Sequence, residues 1–361
     1  MPPPARPGAA HYDGVQALRF LAALAVVLLH ANFYVGQRLT DQPVSLWTGG
    51  AWGVDIFFVI SGFVMVVSTQ TLIGNPRGWR VFFMRRVVRI APLYWIIMSL
   101  KVVLLLALPS ALFNNPFDLE RVVTSYFFIP SRNPAGMIEP IHGVGWTLNF
   151  EMFFYAMFAA AMFLRISVFR FVGPVLAFCA LMSVLRDEKT WPAITFYFDP
   201  IVLEFFWGMI IARLALRHAP PPAAGLALAA AGFALILGRD AAGPVGEALA
   251  VVGVGPALAV AGVVVMEPWL SGRTPRPLLV LGDASYSIYL FHPLVAPVVP
   301  AVFAKLGLIE PDAAFALAAI FAICASMVVY YGVEMPVLRW MKRVFSVSLS
   351  AKPQAEVAAR T

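Results

Sequence analysis

Charged side chains are scarce in this sequence, at 12% of 361 residues, about half the share of a soluble globular domain. That scarcity excludes a water-soluble enzyme. The net charge of +7, which would suggest nucleic acid for a soluble protein, has a better explanation in where the cations fall. Cysteine is nearly absent too. Cys179 and Cys324 both lie inside apolar stretches, so they read as buried small hydrophobes and not as a disulfide or a metal site. No P-loop, dinucleotide-binding glycine fingerprint, nucleophile elbow or zinc spacing occurs. Any chemistry is therefore expected to need no metal and no covalent serine or cysteine. Nor is there a visible internal repeat of the kind many transporters carry.

What fills the chain is hydrocarbon. Hydrophobic residues make up 61% and mean hydropathy is +0.82, the composition of an integral membrane protein. Apolar runs interrupted by Pro, Gly or charge predict about ten spans, at 14–34, 50–69, 88–108, 143–164, 168–186, 196–214, 222–238, 246–267, 284–304 and 313–335. The expected fold is an all-α polytopic bundle: one membrane domain over 1–345 and a short cytoplasmic tail at 346–361. Most of the 26 lysines and arginines fall on the side of the N-terminus and the tail, which predicts both ends inside. The Pro-rich start, MPPPARPGAAHYD, reads as disordered. The first apolar run has no clear cleavage site, so it reads as a retained helix and not a signal peptide.

That run, GVQALRFLAALAVVLLHANFY, carries Arg19 and His30. Eleven helical steps put both on one face, roughly 16 Å apart along the axis. Ionisable residues at such depth are costly and mark functional sites by default, so the pair is expected to form the two ends of a reaction path. RRVVRIAPLYW holds Arg85, Arg86 and Arg89 at the inner mouth of the third span. Its simplest reading is a topology signal or contact with anionic lipid. Clustered arginines also grip phosphate through bidentate contacts, and Arg19 at the same level would complete a cradle for the nucleotide end of an acyl-coenzyme A. Asp55, in the second span, lies at a depth similar to His30, and the two are expected to meet. Glu151, in the fourth, must be protonated, paired or wet. His142 reads as interfacial, His292 as a structural residue at the Pro293 kink, Glu204 as structural, and Glu334 as meeting the basic tail. The external connection at 109–142 is long enough to be functional or disordered.

GVQALRFLAALAVVLLHA, GVDIFFVISGFVM, FFMRRVVRIAPLYW, VGWTLNFEMFFY and GDASYSIYLFHP, in this order, resemble the membrane acyltransferase-3 family, most closely the bacterial exopolysaccharide O-acetyltransferases, over about residues 12 to 340. The family's Arg, ten residues, His pattern falls on Arg19 and His30. Its arginine block falls on Arg85, Arg86 and Arg89, its second-span acid on Asp55 and its fourth-span Glu on Glu151. The resemblance implies acyl transfer from cytoplasmic acetyl-CoA, or another acyl-CoA such as succinyl, to a hydroxyl of an exopolysaccharide or other envelope glycan. The expected location is the inner (plasma) membrane. The expected partners are the acyl-CoA, the carbohydrate acceptor, the bilayer and polysaccharide-assembly proteins, with no nucleic acid. Arg19, Arg85, Arg86 and Arg89 would bind the donor. His30 would act as general base or transient acyl carrier, with Asp55 or Glu151 orienting it. The chain ends soon after the tenth span, like stand-alone members of the family. Two other classes fit buried Arg, His and Glu: a transporter or flippase of an envelope glycan or lipid, and a non-catalytic component of a polysaccharide secretion machine.

Overall fold

The computed structural model describes residues 12–39, 49–107, 117–187, 189–239 and 241–345. The Pro-rich N-terminus, part of the 109–142 connection and the tail 346–361 lie outside the described residues. Those described are helical with short connections, and none forms a strand. The helices are α1 (Asp13–Leu39), α2 (Trp52–Ser68), α3 (Gly78–Ala107), α4 (Leu119–Tyr126), α5 (Trp146–Phe163), α6 (Val168–Met182), α7 (Val202–Arg217) and α8 (Pro222–Leu237). They continue with α9 (Gly243–Val251), α10 (Val254–Leu270), α11 (Arg276–Asp283), α12 (Ser285–Val295), α13 (Val298–Leu306), α14 (Pro311–Val329) and α15 (Met335–Val344).

Four helical stretches are long and apolar enough to cross a bilayer: Asp13–Leu39, Gly78–Ala107, Ser285–Leu306 and Pro311–Val344. The pair α9 and α10, bent by 64°, makes a fifth if it is one span, and α2, α6 and α8 are shorter apolar helices. Each of the ten expected spans overlaps a helix or a broken pair, but among the described residues only these four or five are long and apolar enough to cross. The third helix, however, starts at Gly78 and not near 88, so the basic run is part of the helix itself. Cys179 is buried on α6, as expected, whereas Cys324 on α14 is exposed.

α1 is the hub, packed against α2, α10, α11, α12, α13 and α14. Its first turn would leave backbone N–H groups without partners, and Glu267 of α10 reaches across to accept them from Asp13 N (2.6 Å) and Gly14 N (3.0 Å). α2 is pressed between α1 and α7 by glycines. A Cβ on Gly53 would stand 2.2 Å from the Ala22 carbonyl oxygen, and one on Gly62 would stand 2.0 Å from that of Phe205. Backbone contact of this kind is how membrane helices associate when no hydrophobic drive separates them from lipid. At the α9–α10 break Gly253 takes φ +71°, and a Cβ there would meet Glu204 Cγ at 2.6 Å, so glycine is required twice over.

Candidate active site

α1, α2, α3, α5 and α12 enclose a cavity of about 150 Å³. Arg19 enters it from α1, Ser61 from α2, Arg86 and Arg89 from α3, Glu151 and Tyr155 from α5, and Tyr286 and Tyr289 from α12. The charges interlock. Arg89 pairs with Glu334, 99% buried at the end of a π-helical turn, Tyr330–Glu334. The other carboxylate oxygen of Glu334 accepts from Ser287 Oγ at 2.5 Å. The Arg89 guanidinium also lies 5.5 Å from the Tyr286 ring centroid, within cation–π range. Arg19 Nη1 donates to Gln16 Oε1 at 3.0 Å, and Gln16 Nε2 in turn donates to Asp283 Oδ1 at 2.5 Å. Arg86 Nη2 donates to Ser68 Oγ at 2.6 Å. Its Nε is buried and bonds no described group. Glu151 faces the hydroxyls of Tyr155 and Ser61 and the charges of Arg86 and Arg19. In the lining itself three guanidinium groups face one carboxylate, Glu151, with Glu334 and Asp283 behind Arg89 and Gln16, and such a cation-rich lining suits an anionic ligand.

Arg85 stands apart. It is exposed and does not line the cavity with Arg86 and Arg89. Around a helix residue 89 lies between the other two, about 40° from 85 and about 60° from 86. Arg85 is thus the end of this arc furthest from Arg86, and there the side chain is exposed. Glu334 is likewise not at the basic tail: it is the buried partner of Arg89, 245 residues away in the chain.

Further along α1, His30 meets another helix. Its Nδ1 is 2.9 Å from the Val26 carbonyl oxygen and 3.2 Å from His292 Nε2, and His292 Nδ1 is 2.9 Å from the Ile288 carbonyl oxygen. His142, expected at the interface, is buried, with Nε2 2.8 Å from the Leu290 carbonyl oxygen. Burial pushes its imidazole down to about 4. Three of the five histidines in the chain thus converge. Between them and the cavity stands Tyr289. Its hydroxyl lies 3.0 Å from Thr147 Oγ1 and donates to the Val144 carbonyl at 3.1 Å, and its ring centroid is 6.2 Å from that of His292.

Asp55, expected to meet His30, faces Arg239, Asp199 and the buried Glu204 instead. Gly53 packs on α1 at Ala22, and two residues on, Asp55 is about 200° round the helix, on the side of Glu204 of α7. One oxygen of Glu204 there bonds no described group. Among the described residues no cluster of three or more His, Cys, Asp or Glu is arranged to hold a metal.

The sequence reading missed the placement of His292 and Glu334. Tyr286, Tyr289 and His292 share a face of α12, as their spacing implies, and α12 continues through Pro293 to Val295.

Residues 12–332 match the acyltransferase domain family, acyltransferase-3. Over 325 residues the chain is 38% identical to the exopolysaccharide production protein ExoZ of Rhizobium meliloti, covering 87% of this chain and 95% of that one. It is 26% identical over 156 residues to the acyltransferase MdmB of Streptomyces mycarofaciens, covering 42% and 39% respectively. Against the peptidoglycan O-acetyltransferase OatA of Listeria monocytogenes it is 25% identical over 166 residues, covering 42% of this chain and 24% of that protein. No solved structure matches. With a family match spanning nearly its whole length and several helices apolar enough to cross a bilayer, this chain belongs to the acyltransferase-3 family and is an integral membrane acyltransferase.

Proposed function

We propose that the protein transfers an acetyl group from cytoplasmic acetyl-CoA to a hydroxyl of an exopolysaccharide on the outer side of the inner membrane, through a bundle of ten spans with both termini inside. The observation that carries this reading is the pairing of two sites on α1: Arg19 in a cavity of net positive charge, and His30 about half a bilayer further along. The match to an exopolysaccharide production protein over most of both chains supports the acceptor class.

The residues fit the donor. Arg86, with its buried Nε lacking a described partner, and Arg19 would hold phosphate oxygens, with exposed Arg85 assisting at the rim. Arg89, committed to Glu334, would act through the cavity's shape and field. Glu151, between Arg19 and Arg86, would hold both guanidinium groups in place until an anion arrives. When bound, acetyl-CoA supplies a thioester carbonyl at the end of its flexible pantetheine arm.

His30 would then take the proton of the acceptor hydroxyl as that oxygen bonds to the carbonyl carbon. The carbon–sulfur bond breaks, and His30 returns the proton to the departing thiolate. Base catalysis of this kind contributes about a hundred- to ten-thousand-fold. Asp55, facing away from His30, would serve the acceptor side of the bundle with Glu204.

The test compares O-acetyl content of surface polysaccharide in cells with wild type, His30→Ala or no protein, at equal membrane levels of the two forms. Acetylation by wild type and none by His30→Ala is expected. Unaffected acetylation by His30→Ala would remove the base from α1.

A further inference from the structure

We propose that His292 is a positioning residue for His30: it accepts the His30 Nδ1 proton, fixes Nε2 as the basic nitrogen and shares the charge that forms when Nε2 is protonated. This rests on the reading of His30 as the base.

The hydrogen bonds leave one consistent arrangement. A backbone carbonyl only accepts, so each ring nitrogen facing one must carry hydrogen. Val26 O faces His30 Nδ1 and Ile288 O faces His292 Nδ1, both at 2.9 Å. Both rings are therefore protonated on Nδ1 when neutral. His292 Nε2 is then a lone pair, and it points at His30 Nδ1, 3.2 Å away. The opposite pairing, with His292 Nε2–H donating to His30, would set two bare nitrogens against two carbonyl oxygens. One proton on His30 is thus shared between Val26 O and His292 Nε2. His30 Nε2, which bonds no described group, is left as the acceptor for a substrate proton. The second imidazole does here what an orienting carboxylate does elsewhere: it fixes the tautomer and raises ligand or base strength.

The packing supports a role specific to this pair. His292 is wholly buried while His30 is half-buried, so the inner ring is rigid and the outer one reachable. The ring centroids lie 4.9 Å apart at 59°. Of the titratable groups around the pair, Tyr34 from α1 and Tyr289 from α12 lie at ring distance, and His142 approaches from the connection before α5, with Lys101 of α3 beyond it. No carboxylate is in hydrogen-bond contact with His30 among the described residues, so the orienting role falls to His292.

Two measurements test this. Nitrogen-15 spectra of the full chain with labelled histidine, in detergent micelles, read the tautomer directly, and His30→Ala and His292→Leu assign the signals. Both rings are expected to carry hydrogen on Nδ1. A His30 signal with hydrogen on Nε2 would overturn the proposal whatever the variants do. The second measurement is the rate of labelled-acetate incorporation into surface polysaccharide, normalised to protein in the membrane. His292→Leu, which keeps the volume and loses the acceptor, is expected to fall about ten- to hundred-fold, the usual cost of losing an orienting partner. His292→Gln, whose amide oxygen can accept from Nδ1–H, is expected to recover most of the rate. Wild-type rate in His292→Leu, or no better rate in His292→Gln than in His292→Leu, would overturn the role. If His30→Ala keeps acetylating, the base reading fails by itself, a different result from either of these.

Discussion

The charged cavity and the histidine pair sit on the same helix and solve opposite problems. Around Arg19 the bundle keeps ions in a low-dielectric interior, and each has a partner: Arg89 has Glu334, Arg86 has Ser68 of α2, and Arg19 has Gln16 of its own helix and through it Asp283 of α11. Around His30 the ring nitrogens are set by backbone carbonyls and by a second imidazole. Burial of charge is tolerable only with such compensation, and a fully compensated group makes a poor base. A binding site for an anionic donor and a site for proton transfer are therefore better kept apart, and here Tyr289 and Thr147 lie between them.

The largest effect that would break this contrast is at His30. His30→Ala is expected to cut acetate incorporation about a hundred- to ten-thousand-fold with the protein still folded in the membrane, whereas loss of the fold would make the histidine region as structural as the cavity. Next comes the ion pair. Glu334→Leu strands the Arg89 charge and is expected to cost about 3–5 kcal/mol of stability, measured by thermal unfolding in detergent, while Arg89→Leu added to it recovers most of that loss. An unchanged melting temperature in the single variant would mean that the pair is wet.

A smaller effect sharpens the division of labour inside the cavity. Arg86→Lys keeps the charge and loses the fork geometry, so acetyl-CoA affinity, read by calorimetry on purified protein, is expected to drop about tenfold, the worth of one charge-assisted hydrogen bond. An equal loss of affinity in a His30 variant would merge the two sites into one. Smallest of all, Arg85→Gln at the exposed rim is expected to change affinity by about twofold or less, as most surface substitutions do.

Helical periodicity explains what could be read from residues in order. The eleven-residue step from Arg19 to His30 and the spacing of Tyr286, Tyr289 and His292 each depend on one helix alone. Composition fixes the solvent, and a bilayer admits helices because every backbone group must bond within the segment. The relative rotation of neighbouring helices is a different matter. Asp55, expected to meet His30, faces Glu204 instead, since a turn of about 100° per residue makes position along a helix a poor guide to direction.

By itself, then, the sequence determined an all-helical membrane protein of the acyltransferase-3 family, with Arg19 and His30 on one face of its first helix. Only the tertiary structure decided that His30 faces His292, that Glu334 neutralises Arg89 from 245 residues away, and that Asp55 belongs with Glu204. Periodicity is a property of each helix alone. Which side chains meet across helices depends on how every helix is rotated against its neighbours, and that is set by packing among many helices at once.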